Sequence, residues 1–185
     1  MKPKYRFKQA ETEAELESVF ALTHSVFAGE LGQYQPRPGQ RIVDKFHSKN
    51  TYWIALAEDR VIGMVSVHAD APYSVAEKLA YPSILEQYGK LAEIRLLAVE
   101  PEHRNGAVMM GLMNAVYEFA RNCDAIVISG VTERAGLYRK LGFRDLGPAV
   151  RVGSADFIPM IAPAHAPAEK RARWLVHRER RKSAG

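Results

Sequence analysis

Apolar and polar residues alternate over Lys4–Gln9, where Tyr5 and Phe7 stand between charged neighbours, and this period of two predicts a short first strand. From Glu11 to Phe27 the apolar positions are Leu16, Val19, Phe20, Val26 and Phe27, with Thr23 in line. That is helical spacing with acids crowding the first turn. Gly29–Gln40, with three glycines and two prolines, predicts a loop. Two apolar, β-branched runs, Thr51–Ala57 and Val61–His68, flank Glu58-Asp59-Arg60 and predict a hairpin. Residues 69–90 carry no sustained period and predict irregular backbone, briefly helical around Val75–Leu79 and Ser83–Tyr88. Leu91–Val99 and Ala125–Val131 predict strands, Val108–Asn122 and Glu133–Leu141 helices, and Phe143–Val152 and Phe157–Ile161 the last strands. There is no internal repeat.

A hairpin followed by strand-helix-strand-helix-strand predicts an α+β class, a mixed sheet with helices on both faces. The expected domain is 1–162, with Pro163 and Pro167 opening a linker and basic tail over 163–185. At 185 residues, 47% hydrophobic and 25% charged, the chain can build a real core. The net charge of +5 comes from the tail, where seven Lys and Arg face Glu169 and Glu179. The body is therefore formally neutral, and the high pI says nothing about its ligand; the tail is expected to solubilise the chain, a nucleic-acid or partner contact being the alternative. No run of about 18 apolar residues predicts a membrane span. The N-terminus lacks a signal-peptide core, and the lone Cys123 fits a buried thiol in a reducing compartment, so the expected location is cytoplasmic.

Chemistry concentrates between residues 91 and 143. The strand Leu91–Val99 ends at Pro101, which cannot donate to a neighbouring strand. Unpaired backbone groups at Leu97, Ala98 and Val99 could then pair with an extended amide-bearing ligand. The loop Arg104-Asn105-Gly106-Ala107-Val108 opens a helix whose N-terminal amides favour an anion. An amide-bearing arm running into phosphate describes a pantetheine group. A plain strand-to-helix turn would leave the same local pattern.

AEIRLLAVEPEHRNGA, a helix, AIVISGV and GLYRKLGF in that order resemble the GNAT superfamily of acyl-CoA-dependent N-acyltransferases. The resemblance implies a central, mostly antiparallel, splayed sheet and acetyl-CoA or another acyl-CoA as co-substrate. On the family's phosphate loop Arg104 matches, while Gly106 is shifted by one position and Ala107 and Met109 stand where small residues are usual. The resemblance makes Glu93 a general base, the alternative being an ion pair with Arg95. It makes Tyr138 the acid that protonates the departing thiolate, the alternative being a packed core aromatic; an unperturbed phenol is protonated at neutral pH. Thr132 stands near the place of an asparagine that contacts the pantetheine arm.

Tyr34, His68 and Tyr73 are candidates for the acceptor pocket, His68 as an orienting group, a base or a satisfied core histidine. No His, Cys, Asp and Glu spacing suggests a metal. The expected reaction is transfer of an acetyl or other short acyl group from acyl-CoA to a primary amine of a small molecule or peptide. SVFAGELGQYQP also resembles N-acyl amino acid synthases and acyl-homoserine lactone synthases, which implies an acyl carrier protein as donor. A non-catalytic acyl-CoA-binding module is the third reading, and a homodimer is compatible with all three.

Overall fold

The computed structural model describes residues 4–104 and 106–165. Its strands form a mixed, mostly antiparallel sheet of eight strands accompanied by helices. The described residues fall into two compact units, 4–68 with 94–119 and 69–93 with 120–165. The expected basic tail beyond residue 165 lies outside the described residues.

In the first unit β1 (Tyr5–Gln9), β2 (Thr51–Ala57) and β3 (Arg60–His68) are antiparallel neighbours, with Phe7 opposite Ala55 and Ile54 opposite Met64. Helix α1 (Glu13–His24) starts in a capping box: the Thr12 hydroxyl accepts from the Glu15 N–H, and the Glu15 carboxylate accepts from the Thr12 N–H. The chain continues beyond His24 in a π-helical turn, Ser25–Glu30, so the loop expected over Gly29–Gln40 begins at Leu31. Val19, Phe20 and Leu22 of α1 pack on Tyr52, Ile54, Leu56 and Met64. Side chains alternate across a strand, so Phe7, Ala55 and Gly63 face the other way. Helix α2 (Gly106–Phe119) covers that opposite face, where a Cβ on Gly111 would stand 2.1 Å from the Phe7 ring. Only glycine lets helix and sheet approach there.

The second unit contains β5 (Ala125–Val131), α3 (Ala135–Lys140), β6 (Arg144–Asp145), β7 (Val150–Val152) and β8 (Ala155–Pro163). Strand β8 pairs antiparallel with β5, β6 and β7, and Val127 lies opposite Ile161. The single strand expected over Phe143–Val152 is two short ones, because Gly147-Pro148 interrupts it and proline has no N–H for a ladder. Strand β8 extends to Pro163, the first residue of the expected linker. Val75, Leu85, Ala125, Val127 and Ile161 form the local core.

Strand β4 (Leu91–Val99) has the bounds its apolar run predicts. Its residues 91–93 belong to the second unit and 94–99 to the first.

Candidate active site

In the first unit, the strand end and helix start expected to hold a thioester donor adjoin in sequence. Val99 is buried, and its carbonyl accepts the Arg104 Nε–H at 2.9 Å. The rest of the Arg104 guanidinium forks onto Glu30, Nη1 to Oε1 and Nη2 to Oε2, each at 2.5 Å. This pairing raises the already high pKa of Arg104. Val108 is fully buried. Leu97 and Ala98 lie on β4, and Gly106 and Ala107 open α2; Asn105 is outside the described residues.

A second cluster in the same unit was not singled out by the sequence pattern. Asp44 and Arg95 form an ion pair at 3.3 Å with side chains 1% and 12% exposed. The Phe46 N–H donates to Asp44 Oδ1 at 2.7 Å. Arg95 lies over the Phe46 ring at 5.0 Å, with Lys45 and Lys49 also over it. His68, completely buried, meets the same ring edge-on at 5.4 Å. Tyr34 stands within the electrostatic reach of Arg95, Asp44 and Lys45, and burial of its phenol, opposed by Arg95, raises its pKa. Two of the three expected acceptor residues therefore belong to one neighbourhood, and Asp44, Phe46 and Arg95 join them. One signal was available: in RIVDKF, Asp44 lies two positions from the buried Ile42, a carboxylate on an inward-facing period.

The second unit holds Glu93, Tyr138, Thr132 and Tyr73. Glu93 is fully buried. Its Oε1 accepts the Ser74 hydroxyl at 2.9 Å and the Val75 N–H at 2.7 Å, and its Oε2 accepts the Ser74 N–H at 2.9 Å. The carboxylate thus holds the start of the 3₁₀ turn Ser74–Lys78. The alternative partner expected for Glu93, Arg95, is paired with Asp44. The Tyr73 hydroxyl donates to main-chain carbonyls, to Ala69 at 3.0 Å or Leu91 at 3.2 Å.

Tyr138 lies on α3, its ring so close to β5 that a Cβ on Gly130 would come within 2.7 Å of it. Burial pushes its phenol pKa up, against a smaller opposing effect of Arg134, so the hydroxyl stays protonated at neutral pH. Thr132 begins the 3₁₀ turn leading into α3. Cys123 is buried and its thiol is pushed up by that burial, which suits a packing residue. Among the described residues no three His, Cys, Asp or Glu side chains form a metal-holding group, and no helix is long and apolar enough to cross a membrane.

The profile of the N-acyl amino acid synthase FeeM family matches residues 18–162. No curated protein matches the chain in sequence. Among solved structures, FeeM, an N-acyl amino acid synthase from uncultured soil microbes, is similar with a TM-score of 0.70 and 16% identity over 88% of this chain and 92% of that one. BjaI, a CoA-dependent acyl-homoserine lactone synthase, gives a TM-score of 0.68 and 21% identity over 88% of this chain and 84% of its own. Naa50 from Arabidopsis thaliana, solved with the bisubstrate analogue CoA-Ac-MVNAL, gives a TM-score of 0.60 and 16% identity over 85% of this chain and 97% of its own. These likenesses bear out the GNAT-like fold expected from residues 91–143 and the second likeness expected from SVFAGELGQYQP. With the fold established and the profile spanning most of its length, the chain belongs to the FeeM family of N-acyl amino acid synthases and is an acyltransferase.

Proposed function

We propose that this chain transfers an acyl group from a phosphopantetheine thioester to the α-amino group of an amino acid. The observation that carries the reading is the buried Asp44–Arg95 pair beside Phe46 and Tyr34. A buried pair of opposite charges matches a zwitterion: Asp44 would take the ammonium and Arg95 the carboxylate, two charge-assisted contacts that a simple amine cannot both satisfy. Family membership over residues 18–162 supports the same acceptor class.

In this reading the Leu97–Val99 backbone and the Arg104–Val108 segment hold the donor's pantetheine and phosphate. The amine nitrogen bonds to the thioester carbonyl carbon, the C–S bond breaks, and the departing sulfur takes up a proton. The ammonium proton must leave before attack. His68, in the Asp44 cluster, is the base of this reading. Glu93, the expected base, is assigned a positioning role, because protonation would compete with the three hydrogen bonds its oxygens accept. Tyr73 is assigned to packing.

A second reading, transfer of a short acyl group from acyl-CoA to a simple primary amine, is favoured by the likeness to the CoA-dependent synthase and to Naa50. Mass spectrometry of the full chain incubated with acyl-CoA or an acylated carrier protein and a panel of amines separates the two. N-acyl amino acids as the main products are expected. Products formed equally from amines lacking a carboxylate would overturn the zwitterion reading. The base is tested by steady-state kinetics: His68→Gln should lower kcat about 100-fold, and an unchanged kcat would remove His68 from that role.

A further inference from the structure

We propose that Glu30 is a donor-specificity residue that disfavours coenzyme A and favours a pantetheine carrying a single phosphate. This rests on the reading above, in which Arg104 and the start of α2 receive the donor's phosphate. An arginine at that position serves an anion only if its guanidinium can turn to it. Here both terminal nitrogens are forked onto Glu30 at 2.5 Å and the Nε–H is held by the Val99 carbonyl, so Arg104 already has a carboxylate partner. That carboxylate comes from the π-helical turn after α1, separated from Arg104 by 74 residues in sequence.

The segment that opens α2 adds no second arginine or lysine. Residues 99–119 contain one arginine, Arg104, and no lysine. His103 is hydrogen-bonded through Nδ1 to the Tyr5 hydroxyl. Glu100 and Glu102 precede the helix, and Glu100 is bridged by Arg60. The first turn of α2 is Gly-Ala-Val-Met.

An incoming phosphate must displace Glu30 or share Arg104 with it, and in either case it meets the field of Glu30 and Glu102, both within electrostatic reach of Arg104. The penalty grows with the ligand's charge. Coenzyme A brings a diphosphate and a further phosphate on its ribose; the pantetheine arm of a carrier protein brings one phosphodiester. The carboxylate therefore acts by repulsion against the more highly charged donor, and a residue that meets a donor's phosphates rather than its thioester can set the choice without touching the chemistry.

The test is calorimetric titration of the full chain, at one fixed salt concentration, with two probes: coenzyme A and 4′-phosphopantetheine. Glu30→Gln keeps the shape and removes the charge. It should tighten coenzyme A binding about fivefold and 4′-phosphopantetheine binding about twofold or less. Glu30→Ala should show the same ordering, and thermal melts identify a variant that folds poorly. Unchanged or weaker coenzyme A binding in both variants, or equal gains for both probes, overturns the inference. Arg104→Ala separates the layers. If it weakens both probes while Glu30→Gln changes nothing, only the role of Glu30 falls. If it leaves both probes unaffected, the placement of the donor phosphate falls and the role of Glu30 with it.

Discussion

Two buried carboxylates, one in each unit, meet the same demand in different ways. Asp44 is matched by a cation, Arg95, together with a backbone N–H. Glu93 is matched by two backbone N–H groups and a hydroxyl of one short turn. A carboxylate removed from water must be paired or fully hydrogen-bonded. The two solutions leave different possibilities. A carboxylate tied to neighbouring backbone amides fixes a loop and has little reason to exchange partners. A carboxylate paired with an arginine can hand that arginine to a ligand's carboxylate and accept the ligand's ammonium in return. This difference, more than burial itself, separates a positioning group from a recognition group.

Breaking the Asp44 side of the comparison should have the largest effect. Arg95→Met removes the cation and leaves Asp44 buried, which should destabilise the protein by about 3 kcal/mol or more in urea unfolding. The double variant Asp44→Asn with Arg95→Met should recover much of that loss. A single-variant cost below about 1 kcal/mol would mean that the pair is already well solvated, and the contrast with Glu93 would fail.

Breaking the Glu93 side should cost less. Glu93→Gln replaces one acceptor oxygen by an amide that cannot accept, stranding a donor at Ser74 or Val75, and should destabilise by about 1–3 kcal/mol. If Glu93 only positions the turn, Glu93→Gln and Ser74→Ala lower kcat to a similar, modest degree; a loss of about 100-fold or more in Glu93→Gln alone would return Glu93 to the role of base.

The smallest effect belongs to a third, surface carboxylate. Glu15 is held at about 2, first by the Glu11 N–H, then by the Lys8 ammonium and the Thr12 N–H. Its folded-state value lies below its ordinary value of 4.5, so its contribution to stability is present above about pH 4.5 and is lost as the pH falls toward 2. Melting curves of the wild type and Glu15→Gln should differ at pH 6 and converge near pH 2. A difference independent of pH would mean that the capping box acts through shape alone.

The regular elements were legible to different degrees. β4 and β5 have the bounds their apolar runs predict, because nine and seven residues of near-continuous burial leave little ambiguity of register. The helix expected over Glu11–Phe27 was legible as a period, but its end was not. The π-helical turn Ser25–Glu30 depends on packing of Val26 and Ala28 that local spacing does not encode. The broken strand around Gly147-Pro148 was readable in principle, since a proline inside a run demotes it.

The candidate site divides in the same way. Glu93 and Tyr138 stood out through the resemblance of AEIRLLAVEPEHRNGA and GLYRKLGF to acyltransferase motifs, and Arg104 through that resemblance and the strand-loop-helix pattern around it. Which groups they meet was decided by the folded chain: Ser74 for Glu93, Glu30 for Arg104 across 74 residues, and the nearby Gly130 for Tyr138.

Periodicity, the turn residues and the order of motifs determined the fold class, the strand carrying Glu93 and the acyltransferase likeness, because these depend on hydrophobic spacing along one continuous chain. Only the tertiary structure decided that Asp44 meets Arg95 and that Glu30 covers Arg104. An ion pair is chosen by which side chains the packing brings within a few ångströms, and that choice is not recorded in the spacing of either residue's neighbours.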